Sequence, residues 1–278
     1  MMKWHLKAAC MASLILTACS SEQPGTGGDQ PKPAQSKARA GATVDSFHLP
    51  RDLEIQLAES ALPKHLQEGA TIYVLNPRKG FEIARAGGNG FHAFLARTGD
   101  DAFRGDWPFT AYRNDIIYPI AFDEVGSKAN MRVFFDAAEL QAKGTPPADL
   151  KKLIKARYAS GHYKAPDRGG VSYMLSPILR TYIDPERSGE VETSTNPHIM
   201  HYAPNVSNQA LGGVKPGINP LTFVIQEGPH GFAVQHLGEK EMAAIKTQYA
   251  PMLERLCGLN PLWCLPADNG QESAAGGS

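Results

Sequence analysis

Two histidines three residues apart, His198 and His201, lie in the run Asn196-Pro197-His198-Ile199-Met200-His201-Tyr202-Ala203-Pro204-Asn205. Imidazoles are the commonest metal ligands, so the pair is a candidate site for a divalent metal. On a helical turn both would reach one ion. On a strand they point to opposite faces, and the flanking prolines argue against a helix. The alternative is one histidine packed inside and one at the surface. A second run, Gly161-His162-Tyr163-Lys164-Ala165-Pro166-Asp167-Arg168-Gly169-Gly170, reads as an irregular loop between a helix and a strand. Loops on a rigid scaffold are where binding groups concentrate, although a solvated connector has the same composition. A third, Gln226-Glu227-Gly228-Pro229-His230-Gly231-Phe232, places Glu227 and His230 around a tight turn. A carboxylate beside an imidazole orients its tautomer and raises its basicity, which makes the pair a candidate general base. Met174 and Met200 offer thioethers to a haem, but no C-x-x-C-H attachment motif accompanies them. No G-x-S-x-G, H-E-x-x-H, P-loop or S-x-x-K motif is present.

These runs need a scaffold, and the apolar periodicity supplies one. Leu53, Leu57, Ala58, Ala61 and Leu62 share a face of a helix over 50–62, with Pro50 at its start and Pro63 at its end. Three short strands follow, at 70–75, 81–85 and 91–96, joined by Asn76–Gly80 and Gly87–Gly90; they read as an antiparallel meander. Ser127 and Thr145 can cap helices that stop at Gly144 and Gly161. The inner stripe of the second carries Leu150, Leu153, Ile154, Arg157 and Tyr158. Strands are expected at 171–175, 180–183, 198–202, 221–226 and 232–237, then a helix from Glu239 that bends at Pro251. Strands in two clusters, separated by helices, give an α+β class: a single domain with a mainly antiparallel sheet and about four helices.

The amino terminus points to an address. Lys3 and Lys7 precede the apolar stretch 10–16, which ends in Leu16-Thr17-Ala18-Cys19. This pattern resembles a bacterial lipoprotein signal. The resemblance implies cleavage after residue 18 and acylation of Cys19, a membrane anchor whose acyl chains bind at ~0.8 kcal/mol per buried CH₂. With Ser20 rather than Asp after the cysteine, it implies the outer membrane, facing the periplasm or the exterior. Residues 19–46 are small and polar and read as a flexible tether with an r.m.s. span of ~30 Å. Residues 47–268 form the expected globular domain and 269–278 a disordered tail.

The chain has 28 basic and 28 acidic residues; loss of Lys3 and Lys7 leaves 26 against 28, a charge of −2. Near neutrality argues against a nucleic-acid partner and against docking on anionic lipid beyond the anchor. Of four cysteines, Cys10 leaves with the signal and Cys19 is acylated. Cys257 and Cys264 remain as a pair in a compartment that permits a disulfide.

Residues 165–177, Ala-Pro-Asp-Arg-Gly-Gly-Val-Ser-Tyr-Met-Leu-Ser-Pro, and residues 197–204 resemble segments of an uncharacterised group of exported bacterial proteins. That resemblance implies no activity and transfers no catalytic residue. Three functional classes stay open. One is a small-ligand-binding or accessory module with a pocket among Asn89, His162, Tyr173, His198, Tyr202 and His230. Another is a hydrolase, metal-dependent or driven by His230 and Glu227. The third is a structural envelope protein that binds another protein.

Overall fold

The computed structural model describes residues 49–97, 113–183, 190–213 and 222–266. The signal, Cys19, the tether and the tail lie outside them. All described residues belong to one compact unit, Arg39–Ser278.

Helix α1 (Arg51–Ser60) follows Pro50 and carries Asp52 and Glu54 in its first turn, where carboxylates face the positive end of the helix. Its buried residues Leu53, Leu57 and Ala58 continue into Ala61 and Leu62, as the periodicity requires. The short α2 (Lys64–Gln67) leads into β1 (Thr71–Asn76), which pairs antiparallel with β2 (Gly80–Arg85).

The expected meander stops there. Strand β3 (His92–Ala96) pairs with β1, not β2, and runs parallel to it. The glycine-rich link is therefore not a hairpin turn; it passes beneath the start of β1. A Cβ on Gly87 would lie 2.2 Å from the Gly69 carbonyl oxygen, a contact only glycine avoids. The N–H groups of Gly88 and Asn89 both donate to that oxygen, at 2.9 and 3.1 Å.

Strand β4 (Tyr118–Phe122) pairs with β3 and is buried throughout. The expected helix over 127–143 is two helices, α3 (Glu124–Lys128) and α4 (Met131–Ala142). Asp123, not Ser127, caps the first: its carboxylate accepts from the Gly126 N–H at 2.8 Å. Helix α5 (Pro147–Ala159) begins after Pro146, so Thr145 is not its cap. Gly144 and Gly161 do stop α4 and α5, at φ +78° and +68°. On α5, Leu150 and Ile154 are buried, but Leu153 is 40% exposed and leaves the expected stripe.

The remaining strands are β5 (Val171–Met174), β6 (Leu179–Tyr182), β7 (Val191–Ser194), β8 (His198–Tyr202), β9 (Thr222–Gln226) and β10 (Phe232–His236). Eight strands form one sheet in the order β2-β1-β3-β4-β5-β8-β10-β9, and β6 pairs with β7 separately. The class is thus α+β with a mainly antiparallel sheet, and the described residues hold seven helices where four were expected. The last two, α6 (Glu239–Gln248) and α7 (Ala250–Leu259), are separated at Tyr249, just before Pro251.

Each sheet face has its own core. Phe94, Phe122, Met200 and Phe232 pack against Phe134 of α4 and Leu150 and Ile154 of α5. On the other face Ile72, Ala93 and Ala121 meet Ala58, Ala61 and Leu62. Beside them Leu53, Leu57 and Leu95 meet Leu256 of α7 and the fully buried Trp263. The free edge of β9 is covered by a side chain: Asn208 accepts from the Val224 N–H and donates to its carbonyl, both at 2.8 Å.

Cys257 and Cys264 are joined in a disulfide that ties α7 to the turn carrying Trp263. Closing so short a loop is expected to contribute ~2.5 kcal/mol through the unfolded chain. Urea unfolding with and without reductant checks this: the reduced protein should unfold at lower denaturant with a similar slope. An unchanged midpoint would contradict the assignment.

Candidate functional site

The strand reading of His198 and His201 holds. Both lie on β8; His198 is buried and His201 exposed on the opposite face, so the two do not meet around one ion. His201 Nε2 instead contacts Gln235 Oε1 on β10 at 3.2 Å. Among the described residues no group of three or more His, Cys, Asp or Glu stands where it can hold a metal.

Three other expected pocket residues serve the scaffold. Tyr202 Oη donates to the Val171 carbonyl (2.9 Å) and to Asp123 Oδ1 (3.1 Å). Burial, then the Asp123 carboxylate, pushes its hydroxyl far above the ordinary tyrosine range. Gly126 and Gly170 press against its ring, and a Cβ on either would overlap it. Asn89 shapes the link under β1, donating to the Leu66 carbonyl at 2.8 Å and accepting from the Phe91 N–H at 3.0 Å. Tyr173 packs on Phe91 on the α1 side of the sheet.

The candidate general-base pair separates as well. Glu227 Oε1 accepts from the Asn208 N–H at 3.1 Å and so secures the segment that covers β9. His230 packs edge-on against Tyr158 of α5, with ring centroids 5.2 Å apart. Burial holds its imidazole below its ordinary value, and a hydrogen bond to the Tyr163 backbone opposes that.

The second and third runs do converge, on a residue the sequence reading passed over. Asp136 of α4 is only 3% exposed. Its Oδ1 pairs with Arg132 Nε one turn earlier at 2.7 Å, and its Oδ2 pairs with Arg157 Nη1 of α5. Tyr163 Oη donates to Oδ2 at 3.2 Å, and His162 Nε2 lies 3.3 Å from it. Tyr158 then bridges Tyr163 to His230 through ring contacts at 4.8 and 5.2 Å. Burial pushes the Tyr163 hydroxyl up to about 12. Two arginines around one buried carboxylate make it a firm anchor. The Arg132/Asp136 spacing of four was a visible signal for half of this cluster.

What Asp136 anchors is the start of the 162–170 loop. The far end is fixed by Asp123, whose Oδ2 accepts from the Val171 N–H at 2.8 Å. Between these anchors the loop stands off α3 and encloses a groove of about 500 Å³, lined by Glu124, Lys128, Lys164, Asp167 and Arg168 with apolar Val125 and Ala165. Lys128 Nζ is spent on Glu124 Oε1 at 2.6 Å. Arg168 also acts on Glu124, so the wall sets three cations, Lys128, Lys164 and Arg168, against two carboxylates, Glu124 and Asp167, and the groove leans positive. Rigidly held ends with cationic side chains between them suit a carboxylate or phosphate ligand. No family model, curated protein or solved structure matches the chain.

Proposed function

We propose that the protein is a cell-envelope lipoprotein, held at the outer membrane through acylated Cys19, whose domain binds a small anionic ligand in the groove between α3 and the Lys164–Arg168 loop. The observation that carries this reading is the groove itself, about 500 Å³ with Lys164 and Arg168 on its wall. A binding module is favoured over a hydrolase because Glu227 and His230 are committed to different partners. Its partners on this reading are the membrane and a small molecule, with no nucleic acid. Among the described residues no helix is long and apolar enough to cross a membrane.

Thermal unfolding in the presence of phosphate, citrate, dicarboxylates and sugar phosphates tests it. A ligand at a hundred times its Kd stabilises by ~2.7 kcal/mol. For a domain of this size that is a rise of about 5–10 °C in Tm. The rise should vanish in the double variant Lys164→Ala/Arg168→Ala. If no anion shifts the transition, or if the shift survives the double variant, the groove is not the binding site.

A further inference from the structure

Three soft or borderline donors form one row across three strands, away from the groove. Met174 on β5 is the cross-strand partner of His198 on β8, and His198 is the partner of His236 on β10. Directly opposed residues of antiparallel strands share a face, with Cα atoms ~4.5–5.5 Å apart. The two imidazole centroids are 5.7 Å apart, with planes inclined at 50°. That separation suits two rings sharing one ion through nitrogen bonds of ~2 Å.

His198 Nδ1 lies 2.7 Å from the Asn196 backbone oxygen, and His236 Nδ1 lies 3.0 Å from Oδ1 of the same Asn196. A carbonyl oxygen only accepts, so each ring carries its proton on Nδ1 and keeps its lone pair on Nε2. An N–H bonded to a carbonyl is the usual way a metal-binding histidine is oriented. Here one asparagine orients both rings.

The surroundings select the ion. Met174 and Met200 are buried, and Phe223 stacks on His236 with centroids 5.6 Å apart. The donor set is two imidazoles and a thioether. With no carboxylate it does not suit a hard cation, and thioether sulfur in an apolar setting favours monovalent copper. We propose that Met174, His198 and His236 form a binding site for Cu(I), oriented by Asn196.

The test uses the full chain in detergent, treated with iodoacetamide to block free thiols, and Cu(I) supplied as its coloured bicinchoninate complex. The wild type is expected to withdraw a single equivalent of copper. His236→Gln should abolish the withdrawal, and Asn196→Ala should weaken it by about 10–100-fold, the usual cost of losing a group that orients the ligands. His201→Gln, on the opposite face, should bind as the wild type does. Met174→Leu conserves volume and keeps the test open should the histidine variant not fold, as circular dichroism would report. It too should bind more weakly. No withdrawal by the wild type, or withdrawal unchanged in Met174→Leu or His236→Gln, would overturn the proposal. Zn(II) retained at these residues without copper uptake would overturn the choice of ion.

Discussion

Asp115→Ala is expected to destabilise the domain by about 3–5 kcal/mol, the usual cost of removing one partner from a buried ion pair. Asp115 is buried and accepts from Arg113 Nε and Nη2, at 2.9 and 2.7 Å, and from Arg180 Nε and Nη2, at 3.1 and 2.8 Å. Arg180 is itself buried, so deleting the carboxylate strands a guanidinium with little water around it. For a domain of this size the loss corresponds to a fall of about 10 °C in Tm. Arg180→Met should cost less, because Arg113 still pairs with Asp115. Equal losses in the two variants would show that the pair is not what carries the effect.

The same carboxylate gives the pH dependence its sign. Burial alone would raise the Asp115 pKa, but the hydrogen bonds and charges of Arg113 and Arg180 outweigh that and hold it below its ordinary value. A carboxylate depressed in the folded state stabilises fully above its unfolded value of ~3.9 and loses that contribution as pH falls through the folded value. Acid unfolding of the wild type should therefore steepen below about pH 4. Asp115→Ala should lack that component.

Cys19→Ser is expected to move the protein from the membrane fraction to the soluble fraction. It should also abolish incorporation of labelled fatty acid. The effect is all or none because the anchor is the only membrane contact on this reading: each acyl chain contributes ~0.8 kcal/mol per buried CH₂, and two chains turn marginal binding into stable binding. The near-neutral charge of the chain supplies no electrostatic substitute. Persistent membrane association of the variant would remove both the anchor and the compartment inferred from it.

Elements set by local chemistry were legible in the sequence; those set by non-local pairing were not. The face of α1 is written in the spacing of Leu53, Leu57 and Ala58, and β8 was placed to the residue. The parallel insertion of β3 beside β1 leaves no local trace, because an antiparallel meander demands the same alternation and the same glycines. Strand β4 contains Pro119, which argues against a central strand, yet it sits between β3 and β5. Ser127 resembles a cap, but Asp123 four residues earlier takes that role because its carboxylate also reaches Val171 and Tyr202. For the site, the 162–170 loop was visible as a polar run. Its anchor Asp136 and the far wall on α3 come from other elements, and only the fold brings them together. The same holds for His198: its neighbour in sequence, His201, faces away, and its neighbour in space is thirty-eight residues downstream at His236.

The amide of Asn208 occupies the donor and acceptor that the middle of β9 would offer to another strand. An open sheet edge is a template for polymerisation. Molecules confined to a surface meet at high effective concentration, so for an anchored protein that hazard is greater than in free solution. One side chain, steadied by Glu227, closes the β9 border of the sheet at no cost in additional strand, and so blunts the edge at which a crowded copy would add its own.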